Sequence, residues 1–174
     1  MDFLILGIRY LAAILFAGAL IWATIGDLRT FEVSNRVHVV VVGAFLLLLL
    51  ANGFDWRMAQ VHGLTGGIVL VVCFGLFSAG VVGAGDAKLL SAIALWMGWP
   101  ALLPYLFYVA LTGGVVGVLL ILFRRRPLSP RLAGIRWVRQ LHERKKDIPY
   151  AVAVSLPALF LLPGMAFPTG VAAG

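Results

Sequence analysis

LLSAIALWMGWPALLPYLFYVALTGGVVGVLLILF, residues 89–123, runs for 35 residues without a charged side chain. A hydrocarbon core about 30 Å thick is crossed by about 20 helical residues, so this run is too long for one span. Gly98-Trp99-Pro100, with Pro104 just beyond, marks the place where it folds into a hairpin of two spans. In a chain of this pattern only helices can cross a bilayer, because each backbone amide must be satisfied within its own segment.

On either side the same reading repeats. Upstream, residues 3–25, 37–51 and 63–82 form three apolar segments, the second short unless its helix extends toward Asn35. Asn52-Gly53-Phe54-Asp55-Trp56-Arg57 separates the second from the third. The first is too long for a signal-peptide core and lacks a convincing small-residue cleavage site, so it is read as retained. Downstream, residues 124–147 form the only long connection, and residues 148–169 supply a last span with Pro157 and Pro163 as kinks. The expectation is an all-α polytopic membrane protein: six transmembrane helices in one membrane-embedded domain over residues 1–174. Composition agrees, since 62% of residues are hydrophobic and mean hydropathy is +1.03, leaving no sequence for a water-soluble domain. Cys73 is the single cysteine, which excludes an intrachain disulfide framework or a cysteine-rich zinc module, and it is read as inert packing.

The net charge of +7 does not point to nucleic acid, because the basic residues collect in the connections. Arg29, Arg36, Lys88, Arg124, Arg125, Arg126, Arg131, Arg136, Arg139, Arg144, Lys145 and Lys146 fall on one side of the membrane; Arg9 and Arg57 fall on the other. Basic loops face the cytoplasm, so both termini are expected outside and Trp56, Trp96 and Trp99 in an outer aromatic belt. In the long connection, Ser129-Pro130 reads as a helix start, and Leu132, Ile135, Val138 and Leu141 recur between basic side chains, with Gly134 as a weak point. That is an amphipathic helix lying on an anionic inner leaflet. Gly113 with Gly117, and Gly63 with Gly67, are spaced for close helix packing. His38, His62 and His142 have no ligand spacing, so no metal and no cofactor are expected, and Ser34 and Ser91 lack a base partner.

Of the seven acids, Asp27 and Asp86 alone combine a membrane-boundary position with a helix-end motif on one face. Two spans intervene between them, so parity puts both on the same side. Asp86 follows Gly83-Ala84-Gly85, a segment free of β-carbon crowding that can take positive φ and admit an extended chain. A carboxylate at a membrane boundary is costly, and its default reading is functional. The competing reading is that Asp86 merely caps the helix that begins at Ala87. Two carboxylates close together in a poorly solvated site cannot both ionise easily, so one retains a proton, giving an acid and a base in one pair. The ionised member can take a proton from water while the protonated member polarises a peptide carbonyl.

Gly83-Ala84-Gly85-Asp86-Ala87-Lys88-Leu89 resembles the Gly-x-Gly-Asp-x-Lys signature of type IV prepilin peptidases. Asp27-Leu28-Arg29 with Val33-Ser34-Asn35 resembles their first-aspartate motif, and Ile148-Pro149-Tyr150 resembles the stretch that opens their last span. The resemblance covers essentially the whole chain. It implies an inner-membrane aspartic endopeptidase that removes the leader of prepilins or pilin-like proteins at the cytoplasmic face, commonly after glycine. It makes Asp27 and Asp86 the catalytic pair, with Gly83 and Gly85 shaping the approach of the substrate and Lys88, Asn35 and Pro149 in support.

Departures exist. Val33-Ser34-Asn35 stands where Ile-Pro-Asn is usual, and Ala151 where the family often has glycine. Longer members carry a cysteine-bearing insertion between the first two spans and also methylate the new pilin N-terminus; here that connection is short and cysteine-free, so peptidase without methyltransferase activity is expected. The compact form resembles versions that serve tight-adherence pili. Two other classes use the same spans: a non-enzymatic pilus or secretion scaffold with both acids as caps, and a small proton-coupled transporter. The transporter is disfavoured because its acids belong at the bilayer midplane. The presenilin and signal-peptide-peptidase branch shares Gly-x-Gly-Asp but places its first aspartate in a later span.

Overall fold

The computed structural model describes residues 2–143 and 148–166. Arg144, Lys145, Lys146 and Asp147, and residues 167–169 of the last predicted span, lie outside the described residues. Among the described residues every regular element is helical: α1 Asp2–Thr30, α2 Asn35–Ala51, α3 Trp56–Ser78, α4 Ala84–Arg125, α5 Pro130–Ala133, α6 Arg136–Glu143 and α7 Tyr150–Ala166. Three of them, Phe3–Thr30, Trp56–Ser78 and Ala84–Arg125, are long and apolar enough to cross a membrane, and α2 and α7 are shorter apolar helices. Large apolar side chains such as Phe3, Leu103, Phe107 and Phe160 point outward. A hydrocarbon solvent favours such a surface; water does not.

Polar side chains set the helix ends. Ser34 caps α2, its hydroxyl accepting from the Arg36 amide, so the helix does reach back to Asn35. Asp55 caps α3 by accepting from the Arg57 amide at 2.9 Å and the Met58 amide at 3.4 Å. That cap moves the start of α3 from the predicted residue 63 to Trp56. At the other end α3 stops at Ser78, short of the predicted residue 82, because Gly80 turns the chain at φ 72°. Arg9 donates to Asn52 Oδ1 at 2.6 Å, tying the start of α1 to the end of its antiparallel neighbour α2.

The long run that opens the sequence analysis folds as α4, interrupted at Gly98 with φ 61° and ψ 177°. Asp86 near its start shares a cavity with Asp27, and Phe123 near its end shares a groove with Leu28. Both ends of α4 therefore return to one end of α1, and the chain reverses at Gly98-Trp99-Pro100. Pro100 has no amide to offer the preceding turn, which frees a carbonyl there. His62 occupies the corner: its Nδ1 lies 2.8 Å from the Leu95 carbonyl oxygen, and its ring fills the space where a Gly98 β-carbon would come within 2.9 Å.

α3 packs on the first half of α4 and α7 on the second. The α3 approach is closest at Gly66, where a β-carbon would meet Leu95 Cβ at 3.1 Å; Gly63 and Gly67 face open space, so the small-residue face lies one position away from the predicted one. Gly113 does meet Ala153, while Gly117 meets nothing. Tyr105 donates to the Val154 carbonyl at 3.1 Å, and Cys73 is buried in the core. Trp96 is also core: it is 1% exposed, its Nε1 donates to the Val41 carbonyl, and its ring lies 4.2 Å from that of Phe16. It does not join an outer belt with the exposed Trp56 and Trp99, because the helix turns that indole inward toward the Val41 carbonyl.

The connecting segment makes two helices, α5 and α6, broken at Gly134, and not one. Val138 is the buried residue of α6. Arg124 Nε donates to the Leu141 carbonyl at 2.9 Å, His142 Nε2 lies 2.9 Å from the Arg126 carbonyl oxygen, and the His142 ring meets Phe123 edge-on. These contacts hold α6 against the end of α4.

Candidate active site

Asp27 lies in the last turn of α1. The helix closes just after it, where the Phe31 amide donates to the Asp27 carbonyl at 2.9 Å and Phe31 takes φ 58°, unusual for a bulky residue. The side chain is 4% exposed, and Oδ2 accepts from the Ala151 amide at 2.8 Å. The first amides of a helix have no partner within it, and a carboxylate is a favoured acceptor there. Asp27 thus caps α7 from the far end of the chain, beside the fully buried Pro149. The Ile148-Pro149-Tyr150 motif meets the first-aspartate motif through this one bond.

Asp86 is built differently. α4 starts at Ala84, earlier than expected, with Gly83 as its N-cap at φ −71° and ψ 148°. Asp86 therefore sits inside the first turn, and among the described residues its carboxylate has no hydrogen-bond partner, so the capping reading fails for this acid. Neither Gly83 nor Gly85 uses positive φ; in this segment that conformation belongs to Gly80. What the two glycines supply is room. A β-carbon on Gly83 would stand 3.1 Å from Asp86 Oδ2, and one on Gly85 would stand 3.4 Å from Val33 Cβ.

Asp27 and Asp86 line one cavity of about 270 Å³ together with Phe31, Glu32, Val33, Gly83, Ala84 and Gly85. Parity placed the acids on one side; the fold brings them to one cavity. Glu32 is a third acid at this cavity, and sequence reasoning passed over it because a link residue has no helical phase. Its proximity to Asp27 follows from the shortness of the connection between α1 and α2.

Two further contacts brace the start of α4 against the start of α2. Lys88 Nζ donates to Asn35 Oδ1 at 3.3 Å, which gives both residues a place at the edge of the site. His38 Nε2 lies 3.1 Å from the Gly85 carbonyl oxygen, fixing the peptide that precedes Asp86. His38 was set aside for want of metal spacing; the available signal was its position one turn beyond Asn35 on the same face. Ser34 is a cap, and Ser91 donates to the Ala87 carbonyl of its own helix. The arrangement presents one carboxylate anchored by an amide, one unencumbered, and a glycine-lined wall along which an extended peptide can lie.

Over 142 aligned residues the chain is 31% identical to a prepilin leader peptidase/N-methyltransferase of Aeromonas hydrophila and 30% identical to one of Aeromonas salmonicida (strain A449). Each alignment covers 75% of this chain and 49% of the relative, so the chain spans about half the length of the relatives it matches. No solved structure matches it. Residues 14–118, which hold both aspartates and the glycine segment, match the type IV leader peptidase family, and the chain belongs to that family.

Proposed function

We propose that this protein is an aspartic endopeptidase that removes the N-terminal leader of prepilins or pilin-like proteins, with Asp27 and Asp86 as its catalytic pair. The observation that carries the reading is the shared cavity of the two carboxylates beside Gly83 and Gly85. The pair holds one proton between its two carboxyl groups and titrates as a unit. The ionised carboxylate takes a proton from a water molecule as that water adds to the scissile carbonyl carbon. The protonated one hydrogen-bonds the carbonyl oxygen as it gains charge. Collapse of the tetrahedral intermediate breaks the C–N bond and returns a proton to the leaving nitrogen. Lys88, Asn35 and His38 hold the Gly85–Asp86 peptide in register, and Pro149 holds the amide that fixes Asp27.

The enzyme works in the bacterial inner membrane as a single six-span domain, its termini outside and its site at the cytoplasmic face; the basic connections around the Asp27 end support this. It needs no metal or cofactor. It cleaves after glycine, as the family resemblance implies, and leaves the new N-terminus unmethylated; the tight link between α1 and α2 supports the second point. The bond from Asp27 to Ala151 gives that acid a structural part as well, which favours keeping the scaffold reading in the test.

Co-expression with a prepilin tests the pair. Asp27→Asn and Asp86→Asn should each leave the protein abundant in the membrane and abolish leader removal, and the double variant should be no worse than either single one. Near-normal processing by either variant would sink the dyad and leave the scaffold reading. Mass spectrometry of the processed pilin checks the second part: its N-terminus should lack an added methyl group.

A further inference from the structure

Two adjoining cavities lie beside the Asp27 end, outside the site just described, and Trp137 lines both. The first, about 490 Å³, is walled by Arg29, Thr30, Arg136 and Gln140 with Trp137, and no acid among the described residues contributes to it. Neither guanidinium is paired with a carboxylate among the described residues. The second, about 470 Å³, is apolar along its length, running between Leu28, Phe123, Leu132, Val138 and Leu141. It is a built groove, because α6 is held on the end of α4 by the Arg124–Leu141 and His142–Arg126 contacts.

We propose that this pair of cavities is a binding site for one anionic phospholipid, its phosphate between Arg29 and Arg136 and an acyl chain along the α4–α6 groove. Three observations converge on this occupant. Two guanidiniums with no carboxylate partner among the described residues line one cavity and suit phosphate oxygens by charge and donor type, with Thr30 and Gln140 able to hydrogen-bond the same headgroup. The apolar groove and the basic cavity share Trp137 as a wall, and Leu28 of one is followed by Arg29 of the other, so a single molecule with a charged head and a hydrocarbon tail can occupy both. Trp137, at the junction and 42% exposed, has the amphipathic ring that settles at the headgroup level of a membrane. A purely apolar polypeptide segment would satisfy the groove but bring the two arginines no counter-charge.

Native mass spectrometry of the full chain in detergent tests the site by titration with phosphatidylglycerol and phosphatidylcholine of matched acyl chains. The unmodified protein should retain one phosphatidylglycerol with a preference of about tenfold over phosphatidylcholine, and Arg29→Gln with Arg136→Gln should bring that preference close to unity. Arg131→Gln with Arg139→Gln removes the same charge from nearby positions that do not line the cavity and should leave the preference in place. Leu132→Glu, at a half-exposed groove position, should weaken phosphatidylglycerol binding although both arginines remain. An equal loss from the two arginine pairs would mean diffuse attraction, and retention by the Arg29/Arg136 variant would mean another site; either overturns the proposal. So would displacement of the bound lipid by a peptide carrying a prepilin's apolar segment, which would assign the groove to polypeptide.

Discussion

Asp27 carries two duties that different substitutions separate. Asn keeps an oxygen for the Ala151 amide and loses the carboxylate, whereas Ala loses both. In detergent, Asp27→Asn should melt close to the unmodified protein and Asp27→Ala should be destabilised by about 1–2 kcal/mol, the usual worth of a helix cap and a buried amide bond. Asp86 has no such bond among the described residues, so Asp86→Ala and Asp86→Asn should melt alike; a marked difference would reveal a structural part for that side chain. Gly83 is a steric matter. Gly83→Ala would put a β-carbon 3.1 Å from Asp86 Oδ2, and it should slow processing while leaving the fold intact, since φ −71° suits alanine. Normal processing by Gly83→Ala would show that the carboxylate has room to move aside.

At the scale of the element, the reversal of α4 depends on Gly98. Its combination of φ and ψ is essentially confined to glycine, and forcing it on alanine costs of order 1–3 kcal/mol. The added methyl would also press on the His62 ring. Gly98→Ala should therefore lower the melting temperature, and adding His62→Ala should recover only part of the loss, because the contact is relieved and the backbone strain is not. Full recovery would mean that the ring contact alone requires the glycine. α6 teaches the complementary lesson. Its apolar spacing was visible, yet Gly134 divides the segment, since glycine adds backbone freedom where a short surface helix has little burial to offset it.

For the whole molecule, the basic end around Asp27 should face the cytoplasm. A cysteine introduced near Ser129 should be shielded from an impermeant thiol reagent in intact cells while one near Asn52 reacts, and the reverse labelling would overturn that orientation. Cleavage should survive strong chelators and Cys73→Ala; loss with chelator that zinc restores would refute metal-free chemistry.

Length, composition and charge placement were enough to recognise an all-helical chain with a reversal at Gly98-Trp99-Pro100, and two acids on one side of it. They suffice because spanning length, backbone satisfaction and the special conformations of glycine and proline are local properties, readable from a short window. Rotation of each helix about its axis is not local. In these segments most faces are apolar, so the sequence has little phase to show which one meets a neighbour. The tertiary packing chose Gly66 over Gly63 and Gly67, and turned Trp96 into the core. Glu32, a link residue, has no helical phase at all, and the closing of α1 onto α2 and α4 brought it to the cavity, while the packing of α2 on the start of α4 brought His38 to the Gly85 carbonyl. The bond from Asp27 to the Ala151 amide joins residues 124 positions apart, and it exists because α1 ends where α7 begins.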